Sequence, residues 1–447
     1  MEITLGEIAN AVHGRLNNTA FSDVTVRGVV IDSRDDIAEK LFVPIKGEKV
    51  DGHDFAIDVL SRGAACSLSE KEFVSDIPII LVDETKTALA DLAAYYRAKH
   101  SLRVVGITGS VGKTTTKNLI YSVLSRKFET IRTEGNHNNE IGLPLTVFNI
   151  EEDTEYAVLE MGMRNFGEIR YLCEIAKPDI AVITNIGVSH IEILGSREGI
   201  FKAKSEIFEK LQPGSTAVIN NDDDLLNKVD LQDVNVIRYG LRKNSDVFAS
   251  DIKPKGIFGT VFTLNTPKWQ IEINQYVPGE HMVTNSLCAA AVGFAAGLSP
   301  EEVKLGIENC ASEKLRMDIF TTASGITVIN DTYNANPVSV KAAIDVLRLA
   351  EGRRICVLGD MLELGEQAAE MHFDIGKYAK ESAADLMLCT GALSINTADA
   401  FNGGEHFADK PSLINRLMEE VKQGDTVLIK ASRGMEFEQI AEKFKNL

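Results

Sequence analysis

Several residue types that mark specialised protein classes are scarce in this chain. Its 447 residues include one tryptophan and six cysteines, and no two cysteines are spaced as zinc ligands are. The longest apolar stretch, residues 287–298, is shorter than the roughly 18 to 20 residues that a membrane-spanning helix needs. Lys and Arg number 47 against 65 Asp and Glu, a net charge of −18. We therefore expect no nucleic-acid partner and no membrane insertion.

What is present is typical of a globular enzyme. Hydrophobic residues make up 44% of the chain and charged residues 25%, close to the averages for globular domains. At roughly 150 residues per domain, the length predicts about three domains. The start of the chain, Met1 to Leu5, lacks the basic and apolar segments of a signal peptide, so we expect a reducing, cytoplasmic location. A monomer is the expected oligomeric state.

Alternating strand and helix patterns predict an α/β fold with three domains. Residues 1–82 show short strands and turns and predict a small α/β domain. Residues 83–311 predict a mostly parallel sheet with an antiparallel addition at 246–276, and residues 312–447 predict a third α/β domain. The predicted strands include 24–31, 102–107, 156–159, 180–184 and 216–219, and the predicted helices include 87–100, 116–124 and 202–211.

A glycine-rich run joins the strand 102–107 to the helix 116–124. It contains Gly109, Ser110, Val111, Gly112, Lys113, Thr114 and Thr115. This context is typical of a P-loop, in which backbone N–H groups face a triphosphate, the lysine neutralises phosphates and a hydroxyl reaches Mg²⁺. The first glycine of the general pattern falls at Ile107, and a glycine-rich turn with a chance lysine is the alternative. We predict that this run binds ATP.

Polar side chains follow two predicted strands, at the edge where sheets of this type bind substrates. The strand 156–159 leads to Glu160, whose carboxylate suits Mg²⁺, and the strand 180–184 leads to His190. For His190 the alternative is a hydrogen-bonded loop histidine. Lys202 and Lys204 are two residues apart on one predicted helix and point about 200° apart, so one of them can face inward. The alternative for both lysines is a solvent-exposed face.

Separate stretches along the whole chain resemble the Mur ligase family, the ATP-dependent amide ligases of peptidoglycan precursor synthesis. The resembling runs are residues 108–115, 135–144, 160–162, 185–190, 202–208 and 278–281 with Asn285. Two later runs, 331–337 (Asp-Thr-Tyr-Asn-Ala-Asn-Pro) and 359–366 (Gly-Asp-Met-Leu-Glu-Leu-Gly-Glu), resemble the members that add D-alanyl-D-alanine rather than their sister ligases.

The resemblance implies a three-domain architecture with a central P-loop ATPase domain and a C-terminal Rossmann-like domain. Residues 1–82 would bind the UDP-linked substrate, residues 83–311 would bind ATP, and residues 312–447 would bind the incoming dipeptide. The implied reaction joins D-alanyl-D-alanine to UDP-N-acetylmuramoyl-tripeptide through an acyl phosphate, with ATP and two Mg²⁺ ions. Its general base is open between His190 and a nearby carboxylate.

The resemblance also implies roles for individual residues. Lys113, Glu160, His190 and Lys204 would be catalytic, and Thr114, Glu160, His190 and a carbamylated Lys204 would bind Mg²⁺. Asn285, Arg316 and Asp331 would contact the nucleotide. The substrate contacts would be Ser33, Arg34, Lys46, Gly47, Asn138, Asn139, Asn334, Asn336, Ser432 and Arg433. For the four first-domain residues the alternative is an ordinary turn, and for Ser432 and Arg433 it is a salt-bridged loop. The chain departs from the family at two positions: Leu315 stands where many members have Gly, and Asn330 where an Asp often precedes Asp331.

Two other functions fit parts of the pattern. A sister ligase of the Mur or folylpolyglutamate type would add one amino acid, but the runs 333–337 and 360–366 argue against it. A P-loop switch ATPase, whose nucleotide state drives a partner, would hydrolyse ATP without a small-molecule acceptor. This function leaves the predicted metal-binding roles of Glu160 and Lys204 unexplained.

Overall fold

The structure, a computed structural model, describes residues 1–47, 49–72, 76–311, 313–382 and 384–445. Backbone contacts divide the chain into two compact units. The first unit comprises Met1–Thr108, Phe128–Val182 and Ser205–Thr216, and the second comprises Gly109–Lys127, Ile183–Lys204 and Ala217–Leu447. The predicted α/β class is confirmed, while the predicted domain limits stay predictions.

The N-terminal part of the first unit holds two small sheets. Its elements are β1 (Ile3–Thr4), α1 (Leu5–Ala11), β2 (Arg15–Leu16), β3 (Thr25–Val26), β4 (Val29–Val30), β5 (Leu41–Phe42), α2 (Ala56–Ser61), β6 (Cys66–Ser69), β7 (Ile79–Leu81) and α3 (Thr85–Ala98). β1 pairs with β3 antiparallel, and a second sheet has the order β2-β7-β6-β5-β4.

The predicted strand 24–31 is wrong as a single strand. Gly28 has a φ of +131°, a conformation that favours glycine, and it separates β3 from β4. β3 then pairs with β1, whereas β4 pairs parallel with β5 of the other sheet. One β-branched run therefore supplies two sheets, which its hydrophobic pattern alone does not indicate.

The middle of the chain alternates strands and helices. Its elements are β8 (Arg103–Thr108), α4 (Lys113–Leu124), β9 (Thr130–Arg132), α5 (Gly142–Val147), β10 (Tyr156–Glu160), α6 (Glu168–Ala176), β11 (Ile180–Ile183), α7 (Ile191–Leu194), α8 (Arg197–Ser205), β12 (Thr216–Asn220), β13 (Asn235–Gly240), β14 (Val247–Pro254), β15 (Thr260–Asn265), β16 (Gln270–Gln275), α9 (Glu280–Ala295) and α10 (Pro300–Glu308).

Within the first unit, β8 pairs parallel with β10, and β10 pairs parallel with β9. The register sets Glu160, the last residue of β10, opposite Ile107 in β8. Within the second unit, β14, β15 and β16 are joined by antiparallel pairs, and β13 pairs parallel with β14. The predicted antiparallel addition at 246–276 is confirmed.

Two predicted helix boundaries differ from the structure. α4 begins at Lys113, three residues before the predicted start, because Gly112 takes a φ of +80° and serves as its N-cap. The predicted helix 202–211 is replaced by α8 and a 3₁₀ turn, Glu206–Phe208. Ile207 and Phe208 are buried in that turn and continue the apolar spacing of α8, so periodicity could not separate the two elements.

The C-terminal part of the second unit forms a six-stranded sheet in the order β17-β18-β22-β19-β20-β21. Its elements are β17 (Asp318–Thr321), β18 (Thr327–Asn330), α11 (Pro337–Leu347), β19 (Arg354–Gly359), α12 (Ala368–Glu381), β20 (Leu386–Thr390), α13 (Ile395–Phe401), β21 (Glu405–Phe407), α14 (Lys410–Glu420), β22 (Thr426–Lys430) and α15 (Glu438–Phe444). The pairs are parallel except β17 with β18.

Helices cover both faces of this sheet, as a mostly parallel sheet requires. Ile344, Leu347 and Phe401 belong to one buried cluster, and Phe437 and Phe444 belong to the other. No helix in the described ranges is long and apolar enough to cross a membrane.

Candidate active site

The glycine-rich run forms a tight loop between β8 and α4. Gly109 has a φ of +152°, and a Cβ on it would lie 1.9 Å from Oγ1 of Thr184. No other residue fits there without moving that threonine. Gly112 has a φ of +80°, and a Cβ on it would lie 3.0 Å from Oδ1 of Asn285. The glycines are thus required both by backbone conformation and by the close approach of two side chains.

The residues after β11 brace this loop. Asn185 holds Val111 at both ends of the residue: its Oδ1 accepts from the backbone N–H at 3.0 Å, and its Nδ2 donates to the carbonyl at 2.9 Å. Thr184 Oγ1 donates to the same carbonyl at 2.7 Å. Ser110 is buried, and its hydroxyl accepts from the N–H of Gly187 at 2.9 Å. Asn185 lies in the run 185–190 that resembles the Mur ligases, but sequence reasoning gave it no bracing role.

Two lysines lie close together beside the loop. Lys113 is the first residue of α4, and its Nζ donates to the carbonyl of Gly109 at 2.8 Å. Lys204 of α8 is 1% exposed, whereas Lys202 is exposed. Burial, and secondarily the positive charge of Lys113, hold the pKa of Lys204 well below its usual range. Of the two helix lysines, Lys204 therefore faces inward, and the solvent-exposed alternative holds for Lys202.

Thr114 faces an arginine from the start of the C-terminal part. Nη2 of Arg316 donates to Oγ1 of the buried Thr114 at 3.1 Å. Glu313 lies beside Arg316, with 3.9 Å between Oε2 and Nε, and the same oxygen accepts from Nδ2 of Asn118 at 3.0 Å. The arginine therefore reaches the P-loop hydroxyl that was predicted to bind Mg²⁺. Thr115 follows in α4 and is half-buried.

The predicted carboxylate lies in the first unit. Glu160 is 2% exposed, and its Oε1 accepts from Nδ2 of Asn138 at 2.9 Å. The backbone N–H of Glu160 donates to Oγ1 of Thr133 at 3.0 Å, and the N–H of Gly162 donates to the carbonyl of Asn138 at 2.7 Å. These contacts fix Asn138 and Glu160 against each other. Lys113, His190 and Lys204 belong to the second unit.

His190 precedes α7 in a left-handed backbone conformation, with a φ of +66°. Its Nδ1 lies 3.5 Å from Oε2 of Glu363, which comes from the run 359–366. Among the described residues, no group of three or more His, Cys, Asp and Glu side chains is arranged to hold a metal ion. A cation bound here would therefore need oxygen ligands from hydroxyls, a modified lysine or the substrates as well.

Comparisons with known proteins identify the family. Family models match three parts of the chain: "Mur ligase family, catalytic domain" at residues 25–97, "Mur ligase middle domain" at 107–293 and "Mur ligase, glutamate ligase domain" at 315–433. A protein of Bacillus subtilis (strain 168) named UDP-N-acetylmuramoyl-tripeptide--D-alanyl-D-alanine ligase is 39% identical, over 98% of this chain and 97% of its own length. The chain belongs to the Mur ligase family.

Solved structures agree with this assignment. A crystal structure of MurF from Acinetobacter baumannii has a TM-score of 0.94 and 31% identity, over 100% of this chain and 99% of that chain. MurF of Thermotoga maritima in complex with ADP has a TM-score of 0.85 and 31% identity, over 94% and 97% of the two chains. The three-domain Mur ligase architecture is confirmed. As a Mur ligase, the protein is an ATP-dependent enzyme that forms an amide bond and releases ADP.

In this Mur ligase the predicted nucleotide contact Asp331 is engaged within the protein. Lys430, 2% exposed, forms an ion pair with Oδ2 of Asp331 and donates to the carbonyl of Asn334 at 2.9 Å. Oδ1 of Asp331 accepts from the backbone N–H of Met317 at 3.2 Å. The aspartate therefore fixes the turn that carries Arg316.

Several predicted substrate residues have clear structural tasks. Asn139 accepts from the N–H of Gly142 at the start of α5, and Asn336 is the N-cap of α11. Oδ1 of Asn334 accepts from the N–H of Ala335. Ser432 is buried and donates to the carbonyl of Ala335, and Arg433 forms an ion pair with Glu438 at 2.8 Å. The salt-bridged loop considered for Arg433 is thus present, and the substrate roles stay predictions.

The first-domain candidates lie in turns. Nε of Arg34 donates to Oδ1 of Asp32 at 2.9 Å, and this arginine lowers the pKa of Asp32 to about 2. The carbonyl of Ser33 accepts from the side chain of Arg62. Lys46 forms a backbone bridge with Asp51, and the N–H of Gly47 donates to the carbonyl of Val50. The side chain of Arg34 is 87% exposed, so its head is accessible to an anionic ligand.

Proposed function

We propose that this Mur ligase joins D-alanyl-D-alanine to UDP-N-acetylmuramoyl-tripeptide with ATP. Full-length relatives carry the name of this activity, at 39% identity in Bacillus subtilis and 35% in Escherichia coli. The single structural observation that carries the proposal is Lys204, a buried lysine with a lowered pKa beside the P-loop lysine. A switch ATPase has no need of such a group.

The nucleotide site is proposed to consist of the braced loop and the side chains around it. Backbone N–H groups of Gly109 to Thr115 would surround the phosphates at the start of α4, where the helix dipole favours negative charge. On arrival of a triphosphate, Lys113 would exchange its bond to Gly109 for a phosphate oxygen. Asn285 lies against Gly112 and would contact the nucleotide from α9. Arg316 would add positive charge from the other side.

Magnesium fits the donor chemistry of these residues. The hydroxyl of Thr114 and the buried carboxylate of Glu160 are hard oxygen ligands, and His190 adds a nitrogen ligand. Two bound Mg²⁺ ions would offset the repulsion between the triphosphate and the attacking carboxylate. The remaining ligands would be phosphate and substrate oxygens.

Lys204 would bind magnesium as a carbamate. A lysine is a nucleophile for carbon dioxide only when it is neutral, and burial favours its neutral form. Addition of the amine to CO₂ forms an N–C bond and releases one proton, and the product carries a carboxylate-like pair of oxygens. The modification would therefore turn a buried amine into a metal ligand.

The proposed reaction has two steps. A carboxylate oxygen at the end of the tripeptide attacks the γ-phosphorus of ATP, the bond to ADP breaks, and an acyl phosphate forms. The amine of D-alanyl-D-alanine then attacks the acyl carbon, the bond to phosphate breaks, and the amine proton passes to a base. A carboxylate near the site is the proposed base, because His190 already serves as a magnesium ligand. Asn138, fixed against Glu160, would hold the UDP-linked substrate.

The test is ADP release with ATP and Mg²⁺, with the UDP-tripeptide and D-alanyl-D-alanine offered separately and together. We expect turnover only with both, and a UDP-pentapeptide product by mass spectrometry. Turnover with a single amino acid would favour a sister ligase, and ADP release without either substrate would favour a switch ATPase. Lys204→Ala should abolish turnover, and Lys202→Ala, on the opposite face of α8, should retain it.

We also propose a reducing, cytoplasmic location and a monomeric chain. Five of the six cysteines are buried free thiols, which suits a compartment that keeps thiols reduced. Light scattering of the purified protein tests the monomer. A mass twice that of the 48.9 kDa chain would contradict it.

A further inference from the structure

The guanidinium of Arg316 rests on the ring of Tyr333. Its central carbon lies 3.8 Å from the ring centroid, well inside the range at which a cation is attracted to an aromatic face. Tyr333 is half-buried and lies in the run 331–337, between β18 and α11. The predicted nucleotide contacts include Arg316 but give Tyr333 no role.

Backbone contacts hold the two residues in this arrangement. The N–H of Tyr333 donates to the carbonyl of Leu315 at 3.1 Å. On the other side of Arg316, the N–H of Met317 donates to Oδ1 of Asp331 at 3.2 Å. The arginine is therefore tied on both flanks to the segment that carries Tyr333.

The backbone on both sides of Arg316 is strained. Leu315 has a φ of +67° and Met317 a φ of +48°, a region that side chains with a Cβ disfavour. Such conformations persist where the surrounding structure fixes them, and they cluster at functional sites. Two of them flanking one arginine indicate that the direction of its side chain matters.

The head of Arg316 points to the P-loop. Its Nη2 donates to Oγ1 of Thr114 at 3.1 Å, and Glu313 lies beside its Nε. Glu313 is itself held by Asn118 of α4. The guanidinium is thus fixed between an aromatic face and the hydroxyl that follows the P-loop lysine.

We propose that Tyr333 is a positioning residue for the nucleotide phosphates, acting through Arg316. An unrestrained arginine loses much rotamer freedom when it binds a phosphate, and a planar stack removes most of that freedom beforehand. The Tyr333 ring keeps the guanidinium facing Thr114 before the nucleotide arrives. The inference rests on the proposed function only for the identity of the nucleotide.

The test is the affinity for Mg²⁺–ADP, measured by calorimetry on the full chain. Tyr333→Leu removes the aromatic face and should weaken binding about 3- to 30-fold, whereas Tyr333→Phe keeps the face and should bind within about twofold of the wild type. The matched control is Tyr378→Leu, because Tyr378 also lies under a cation, Lys341 at 5.3 Å, but in the C-terminal helices. It should leave the affinity unchanged.

A double-mutant cycle separates positioning from a direct contact. Arg316→Ala with Tyr333→Leu should bind no more weakly than Arg316→Ala alone, because the ring acts only through the arginine. Adenosine, which lacks phosphates, should bind to wild type and to Tyr333→Leu with equal affinity. Two outcomes would overturn the proposal: losses of ADP affinity that add independently in the cycle, or equal losses of affinity for adenosine and ADP. Either would favour stacking of Tyr333 on the adenine.

Folding and function are controlled separately. Thermal unfolding of each variant identifies any loss of fold, and Tyr333→Met, of similar volume, replaces Tyr333→Leu if that variant does not fold. Unchanged ADP affinity in a folded Leu or Met variant would also overturn the proposal. Wild type that binds Mg²⁺–ADP but does not turn over the UDP-tripeptide with D-alanyl-D-alanine would refute the proposed ligase function. The ADP affinities of the Tyr333 variants could still be compared in that case.

Discussion

Asn185 holds Val111 of the P-loop at both ends, accepting from its N–H and donating to its carbonyl. The two residues are 74 positions apart in the chain, and the contact joins the segment after β11 to the loop before α4. The loop is therefore braced by a side-chain amide and does not depend on its own glycines alone. An amide side chain suits this task because it is donor and acceptor at once.

We expect Asn185→Ala to weaken nucleotide binding about tenfold and to lower the free energy of unfolding by about 1–3 kcal/mol, because two part-buried hydrogen bonds are lost. Calorimetry with Mg²⁺–ADP and denaturant unfolding measure the two effects. Asn396→Ala, which removes an amide bonded to the carbonyl of Leu393, is the matched control and should not change the affinity. Equal affinity of Asn185→Ala and wild type would show that the loop holds its shape without this brace.

Lys204→Met should raise the thermal midpoint by about 1 °C or more, corresponding to about 1 kcal/mol or more, while abolishing ligation. The physical reason is that a lysine which is 1% exposed and close to Lys113 is costly to bury in its charged form. The measurements are calorimetric unfolding and ADP release. Lys202→Met at the exposed position should change neither. A clear destabilisation by Lys204→Met would mean that the amine makes a net stabilising contact.

The backbone at Leu315 leads to a prediction about side-chain branching. At a φ of +67°, Leu315→Gly should be at least as stable as the wild type, and Leu315→Val should be less stable by about 1 kcal/mol or more, because β-branched side chains fit the left-handed region worst. Denaturant unfolding measures this order. If the Val variant were as stable as the Gly variant, the left-handed conformation at this position would be in error.

The ionisation of Glu420 makes part of the free energy of unfolding depend on pH. Arg416 and then Arg353 lower its pKa to about 2 from the ordinary 4.5. A lowered carboxyl pKa contributes stability that is complete above pH 4.5 and is lost as the pH falls to about 2. Glu420 and both arginines remain within reach of solvent, so their interaction contributes about 1 kcal/mol or less to the free energy of unfolding.

Glu420→Gln should therefore unfold more easily than the wild type at pH 7, and the difference should vanish near pH 2. Thermal unfolding across this range measures it. Glu381→Gln is the matched control, because Glu381 lies at the end of α12 with a single lysine 4.0 Å away. A difference between Glu420→Gln and wild type that stays constant with pH would contradict the assignment of the effect to ionisation.

Much of the fold and part of the site follow from local pattern. The P-loop, the buried strands β8, β10 and β11 and the antiparallel addition at 246–276 each depend on neighbouring residues, so hydrophobic spacing and glycine placement indicate them. The spacing of Lys202 and Lys204 likewise showed that one lysine could turn inward. It could not select Lys204, because both faces of an isolated helix are equivalent until the rest of the chain packs against one of them.

The sequence by itself determined the family, the α/β class and the phosphate loop, because these depend on ordered motifs and on local backbone preferences. Only the tertiary structure decided that Asp331 pairs with Lys430, and that Arg316 rests on Tyr333 and reaches Thr114. Thr114 and Arg316 are 202 residues apart. Contacts of that kind depend on how separate elements pack, and no local pattern of the chain encodes them.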